Sequence, residues 1–188
     1  FLGNDDTLGF QMLNSAGSNI LTQMCNRTVE DSGSWHHVVA AIDTTQSTNT
    51  DKLKLYLDGD LQSSFSYSNY DIGTNGDCPV NQENIQMAIG ETPNSNYHFD
   101  GYIAEVNFID GTAYGPETFG ITDTSTGRWV PKSLGSITYG TNGVRLTFAN
   151  SAGQTIGDDT SGNGNDLTVN NLVASDIVTD SPTSNFTN

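Results

Sequence analysis

The residues best suited to metal chemistry lie in one loop near the C-terminal end, residues 157–167, with the sequence GDDTSGNGNDL. Its candidate ligands are Asp158, Asp159, Asn163 and Asn165. Calcium takes its six to eight oxygen ligands from carboxylates, amides and backbone carbonyls. Asn and Gly are equally the ordinary residues of tight turns, because both tolerate left-handed backbone angles. The loop is therefore interpreted either as a structured turn or as a Ca²⁺ site.

Sugar recognition is the second chemistry that the sequence could support. It needs an amphipathic aromatic ring to stack on a sugar, together with a few placed polar groups. The candidate ligand-binding residues are Tyr70, Tyr97, His98, Asp100 and Trp129, and Tyr67 is a further stacking candidate. Trp129 has two interpretations, an exposed platform for a ligand or a structural anchor.

Catalytic chemistry has weaker support in the sequence. A retaining glycosidase needs two carboxylates about 5–5.5 Å apart. The nearest pair is Glu105 and Asp110, which strand alternation places on opposite faces. His36 and His37 would likewise point to opposite faces, so they could not easily share a metal ion. We therefore expect no enzyme activity, with a glycan depolymerase as the remote alternative.

Composition excludes several classes of partner. The chain has 188 residues, 22 acidic and 6 basic, for a net charge of −16, although only 15% of its residues are charged. A nucleic-acid-binding protein needs a basic patch to displace counterions from phosphates. An anionic membrane surface would repel this chain for the same reason. No apolar run approaches the roughly 20 residues of a membrane span. We therefore expect neither nucleic-acid binding nor membrane insertion.

The elements that would position these residues are short strands. KLKLYLDGD, residues 52–60, alternates Leu53, Leu55 and Leu57 with Lys52, Lys54 and Tyr56 and then reaches an Asp-Gly hairpin turn. Residues 35–43 are apolar on both faces, which predicts a central strand buried from both sides, and residues 102–110 predict a third strand. Weaker strands are predicted at residues 8–13, 20–24, 84–90, 144–149 and 166–169, with a short helical turn at 115–120.

Many short strands with no long helical pattern predict an all-β antiparallel sandwich. We assign residues 1–174 to this sandwich, with residues 115–143 as a connector laid across it, and residues 175–188 to a tail or linker. Cys25 and Cys78 are an even pair without metal-type spacing. In an oxidising exterior they would form one disulfide, whereas assembly in a reducing cytoplasm favours unpaired thiols, which we expect.

Three segments resemble a known family. The sequences SWHHVVAAID, KLYLDGD and FDGYIAEVNFIDG resemble the concanavalin A-like lectin/glucanase sandwiches of the laminin-G and pentraxin type. The resemblance implies a jelly-roll fold in which His36 and His37 are structural residues. The segments GRWVPK, YGTNGVRLTF and GDDTSGNGND resemble a subgroup found in tail and other virion proteins of tailed, especially marine, bacteriophages.

That resemblance implies a non-catalytic, lectin-like adhesion domain of a tail-fibre type, located on the virion surface or outside the cell. Its partners would be cell-surface carbohydrate and other virion chains, in an oligomer. Such domains normally open with further strands that are not found before Phe1. We therefore expect either a fragment of a longer protein or a partner chain that supplies the missing edge. The alternative function is a structural decoration or fibre subunit held by contacts between chains.

Overall fold

The structure is a computed structural model that describes residues 6–31, 33–80, 88–90, 98–149 and 153–182. Within these ranges the chain is all-β, with ten strands and three single turns of 3-10 helix. The strands are β1 Thr7–Leu13, β2 Asn19–Thr28, β3 Val38–Ile42, β4 Leu53–Leu57, β5 Asp60–Leu61, β6 Phe65–Asn69, β7 Val106–Phe108, β8 Gly120–Thr122, β9 Trp129–Pro131 and β10 Val144–Leu146. The 3-10 turns are Asn49–Asp51, Pro116–Thr118 and Ala174–Asp176. The predicted all-β class is confirmed.

The first sheet has the strand order β1-β2-β6, and both pairings are antiparallel. In its register Gly9 lies opposite Met24 and Met12 lies opposite Leu21. This sheet confirms the strands predicted at residues 8–13 and 20–24.

The second sheet has the order β3-β4-β5, also antiparallel. Asp58 and Gly59 join β4 to β5 with positive φ angles of 52° and 85°. Two consecutive positive φ angles are what a tight hairpin of this twist requires. The predicted Asp-Gly hairpin is confirmed.

The core lies between these two sheets. Leu53, Leu55 and Leu57 of β4 are 0–1% exposed and pack against the first sheet through Leu8 and Leu21. Burial of a leucine side chain contributes about 1.5–3 kcal/mol. The alternation of β4 therefore sets which face of the second sheet points inward, as the sequence predicts.

Two predictions about this sheet are wrong. The strand at residues 35–43 begins only at Val38 and is not buried from both sides, since Val38 is 48% exposed and Ala40 is exposed. Lys52 was predicted on the solvent face but is 3% exposed. It precedes β4 in a helical backbone conformation, so the strand alternation does not reach it. Its ammonium donates to Asn49 Oδ1 at 3.0 Å and to the Ile72 carbonyl at 2.8 Å.

The strand predicted at residues 102–110 is shorter than expected. Only Val106–Phe108 is extended, pairing with Val144–Leu146, because Glu105 has a left-handed φ of 47° and ends the alternation there. Tyr102, at the start of the predicted strand, lies outside the sheet and is 66% exposed. The strand predicted at 144–149 is therefore confirmed only for its first three residues.

The remaining predictions differ in outcome. Residues 166–169 form no strand, and neither do residues 88–90; residues 84–87 lie outside the described residues. The helical turn predicted at 115–120 is the 3-10 turn at Pro116–Thr118.

The connector, residues 115–143, contains an antiparallel hairpin of β8 and β9 that was not predicted from the sequence. In the described ranges, we find no helix with the length and apolarity needed to cross a bilayer.

Candidate functional site

A polar cleft lies on the outer face of β3 and β4, opposite the core. Its volume is about 300 Å³. The floor comes from the strands, through Ala41, Lys54 and Tyr56, and one wall comes from the chain around the 3-10 turn at Pro116–Thr118. The other lining residues are Asp43, Gln46, Asp51, Ala113, Gly115 and Glu117.

The charged groups of this cleft are mostly held by local contacts. Lys54 Nζ lies 3.5 Å from Asp51 Oδ1. Asp43 accepts hydrogen bonds from the Thr45 hydroxyl at 2.6 Å and from Gln46 Nε2 at 2.6 Å, and these bonds lower its pKa. A ring beside fixed carboxylate, amide and ammonium groups is an arrangement that can stack on a sugar and bond its hydroxyls.

None of the residues that line this cleft was predicted from the sequence to bind a ligand. The available signal was the alternation of β4, which points Lys54 and Tyr56 away from the leucine face. What the sequence did not show is that residues 113–117 fold over that face, because no local pattern specifies the contact.

Trp129 lies against the second sheet at the start of β9. Its Nε1 donates to His37 Nδ1 at 3.1 Å, and the two rings are stacked with centroids 6.0 Å apart at 21°. A Cβ added to Gly59 or to Gly120 would lie 2.5 Å from an atom of the indole ring, so both backbones contact it directly. Of its two predicted roles, these contacts are those of an anchor.

Asp58, in the β4–β5 turn, contacts both His36 and His37. Asp58 Oδ1 accepts the backbone N–H of His37 at 2.8 Å, and Asp58 Oδ2 lies 2.8 Å from His36 Nδ1. Burial lowers the pKa of His37, against the opposing effects of Asp58 and Glu105. Because His37 Nδ1 accepts the indole N–H, His37 is neutral in this arrangement. Both histidines thus have structural contacts, as predicted.

The predicted sugar-binding residues are not brought together. Tyr70 packs beside the core, where its hydroxyl accepts Gln23 Nε2 at 2.9 Å. His98 and Asp100 are exposed on the segment that leads to β7, and Tyr97 lies outside the described residues. The cleft is lined by none of the described candidates Tyr70, His98, Asp100 and Trp129. Their role in sugar binding stays a prediction.

The loop predicted to bind calcium is organised around Asp159. Its carboxylate accepts the backbone N–H groups of Arg145, Ser161 and Asn165 at 2.8–2.9 Å, and also the Ser161 hydroxyl at 2.8 Å. Burial alone would raise the pKa of Asp159, but these hydrogen bonds outweigh it and lower the pKa to about 2. This carboxylate therefore ties the loop to β10.

The neighbouring side chains also bond to the backbone. The amide nitrogen of Asn163 donates to the Gly140 and Gly143 carbonyls, and that of Asn165 to the Thr141 and Gly143 carbonyls. Asp158 accepts the Thr155 backbone N–H at 2.8 Å. Within the described ranges, no group of three or more carboxylate, histidine or cysteine side chains is placed to hold a metal. The geometry favours the structured turn, and calcium coordination stays a prediction.

The two carboxylates considered for catalysis have different partners. Glu105 Oε1 lies 3.0 Å from a guanidinium nitrogen of Arg145. Asp110 Oδ2 accepts Asn142 Nδ2 at 2.9 Å. Each carboxylate supports a separate loop contact, and the absence of catalysis stays a prediction.

Both cysteines are free thiols, as expected. Cys25 is fully buried in the core and Cys78 lies near Met12, with 3.6 Å between their sulfur atoms. Burial raises the pKa of each thiol. A protonated, buried thiol such as that of Cys25 acts as a small apolar group.

Comparison with known proteins gives one match. A laminin G family model, described as concanavalin A-like lectin/glucanases superfamily, matches residues 1–117, which is more than half of the chain. The comparisons with curated proteins and with solved structures give no match. The matched range contains both main sheets and the residues that line the cleft. The chain therefore belongs to the laminin G family of the concanavalin A-like lectin/glucanase superfamily.

Proposed function

We propose that this protein is a non-catalytic carbohydrate-binding domain and that the cleft on β3 and β4 receives the sugar. The observation that supports it is the placement of Tyr56 beside Lys54, Asp51 and Gln46 in one open cleft of about 300 Å³. That volume suits one or two sugar rings at the lower end of ordinary ligand pockets, which span about 300–1,000 Å³.

We further propose that the domain serves adhesion of a tailed bacteriophage to cell-surface glycan, as part of a tail-fibre-type protein. Support comes from the sequence alone, through GRWVPK, YGTNGVRLTF and GDDTSGNGND. Because the net charge is −16, the protein would repel polyanionic glycans. Neutral glycans are therefore the first class to test.

The test is a glycan array with the full chain, followed by titration calorimetry of a glycan that binds. Tyr56→Ala should weaken binding about tenfold or more, since loss of ~1.4 kcal/mol of stacking is a factor of ten. Tyr67→Ala is the matched control, because Tyr67 is 49% exposed on β6 of the other sheet. Equal loss in both variants, or binding unchanged in Tyr56→Ala, would place the site elsewhere.

The alternative proposal is a structural subunit held by other virion chains. It is favoured by three large apolar residues exposed within a short stretch, Phe99 at 47%, Tyr102 at 66% and Ile103 at 39%. Exposed apolar surface of this kind commonly marks an interface between proteins. A stable oligomer in light scattering, lost in Tyr102→Ser, together with no glycan binding, would favour this role.

A further inference from the structure

We propose that His37 is a pH-sensitive latch for the wall of the cleft, so that acidification loosens the wall and weakens glycan binding. The latch itself depends only on the contacts of His37. The effect on binding rests on the proposed function.

The wall is joined to His37 by two aromatic contacts. Phe119, at the end of the 3-10 turn that carries Glu117, has its ring centroid 6.1 Å from that of His37. Trp129 donates its indole N–H to His37 Nδ1 at 3.1 Å. The backbone N–H of Lys132, which follows β9, donates to the Phe119 carbonyl at 3.0 Å. Hairpin and wall are therefore one hydrogen-bonded unit. His37 provides the unit's hydrogen bond to the chain that leads into β3, beside the packing of Trp129 on Gly59.

Protonation of His37 removes the acceptor in this contact. An imidazolium carries a hydrogen on both ring nitrogens, so its Nδ1 can no longer accept the indole N–H. Two N–H groups would then face each other at a separation that suits only a donor and an acceptor. The latch holds while His37 is neutral and is released when it becomes charged.

The charged groups around His37 affect the pH at which its ring becomes protonated. Asp58 in the β4–β5 turn and Glu105 before β7 favour the charged form. Asp58 is already bonded to His36 and lies 4.0 Å from Arg27, while Glu105 is paired with Arg145 at 3.0 Å. The rings of Phe119 and Trp129, on the remaining side, are uncharged. A cation–π contact between such a ring and an imidazolium stabilises the charged form by only about 0.5–2 kcal/mol.

Burial outweighs these groups and lowers the pKa of His37. The folded state therefore favours the neutral ring, and this contribution to stability is complete above an unfolded pKa of about 6.5. It is lost as the pH falls through the lower pKa of the folded protein. The latch should be closed at neutral pH and should weaken progressively as the pH falls below the unfolded value of about 6.5.

The experiment is hydrogen exchange of the full chain at about pH 7.5 and about pH 5, each rate divided by the intrinsic exchange rate at that pH. Protection of the Lys132 and Asp123 amides, which lie in the hairpin unit, should fall about tenfold between the two pH values. The β1–β2 amides should keep their protection, which shows that the sandwich stays folded. His37→Asn supplies an amide oxygen near the Nδ1 position that does not titrate, so its protection should not change with pH.

Equal loss of protection in His37→Asn and in the wild type, or no loss in the wild type, would overturn the latch. If His37→Asn does not fold, the pKa of His37 is measured by NMR in the wild type and in Trp129→Phe, which lacks the indole N–H. The pKa should rise in Trp129→Phe, because the neutral ring has lost its donor. An unchanged pKa overturns the proposal.

The binding arm separates the latch from the proposed function. Affinity for a bound glycan should fall at least threefold from about pH 7.5 to about pH 5 in the wild type, and should stay constant in His37→Asn. Constant affinity in the wild type while the hairpin loses protection overturns the link between latch and site. No glycan binding at either pH overturns the proposed function, while the exchange data still decide whether the latch exists.

Discussion

Asp159 shows how single acidic residues are used in this protein. A carboxylate that accepts three backbone N–H groups is stabilised in its charged form, because each donor favours the anion. Asp43, Asp123 and Asp158 have lowered pKa values for the same reason, each through hydrogen bonds to nearby backbone and hydroxyl groups. Many of the 22 acidic residues thus close loops, and the missing basic residues leave their charge unbalanced.

Asp159→Asn should destabilise the protein by about 1–2 kcal/mol at neutral pH, because a neutral amide is a weaker acceptor for the same donors. The pKa of Asp159 is about 2 in the folded state. Its contribution is therefore present above the unfolded value of about 3.9 and is lost as the pH falls toward 2. Urea unfolding at neutral pH and near pH 2.5 should show the difference between wild type and variant shrinking in acid.

The control is Asp60→Asn, whose side chain is 79% exposed and lies 3.7 Å from Arg27. An exposed ion pair contributes less than about 1 kcal/mol. A difference that stays constant with pH would show that the charge of Asp159 is not what stabilises the loop. Repeating the urea unfolding with calcium tests the cation prediction. A higher urea midpoint in calcium that Asp159→Asn abolishes would identify a Ca²⁺ site.

At the scale of elements, the β8–β9 hairpin packs on the second sheet through one indole ring that also contacts two glycines. Trp129 contacts the backbone of Gly59, in the β4–β5 turn, and of Gly120, the first residue of β8. The hairpin is therefore located by close approach of backbone to ring.

Gly120→Ala should cost about 1–3 kcal/mol, the usual range for overpacking. Its Cβ would lie 2.5 Å from the Trp129 ring. Gly135→Ala, where no atom lies within 4 Å of the added Cβ, is the control and should leave Tm nearly unchanged. Thermal unfolding of both variants is the measurement. Equal melting temperatures for the two variants would contradict the packing described for Trp129.

At the scale of the whole molecule, stability depends on the contact between the two sheets. Leu55 is 1% exposed at the centre of this contact, whereas Leu61, one strand away on β5, is 52% exposed. Both are leucines in the same sheet. The pair therefore separates burial from residue type and strand propensity.

Leu55→Ala should destabilise the protein by about 2–5 kcal/mol, through lost transfer free energy and the cavity left behind. Leu61→Ala should change stability by less than about 1 kcal/mol, as is usual for exposed positions. The midpoint of urea unfolding measures both. A similar loss in the two variants would mean that Leu61 is covered in solution, as an interface between chains would require.

The all-β class, the inward face of β4 and the Asp-Gly hairpin could be predicted from the sequence, because alternation and turn chemistry depend on neighbouring residues alone. The Asn-rich loop stayed open between a structured turn and a Ca²⁺ site, because Asn163 and Asn165 bond to carbonyls of residues 140–143. The exposure of Val38, the burial of Lys52 and the early end of the strand at Glu105 became visible only in the folded chain. Folding also placed residues 113–117 over Tyr56 and brought Trp129 to His37, 92 positions apart. Contacts between residues so distant in sequence leave no local pattern, because packing specifies them and adjacent residues do not.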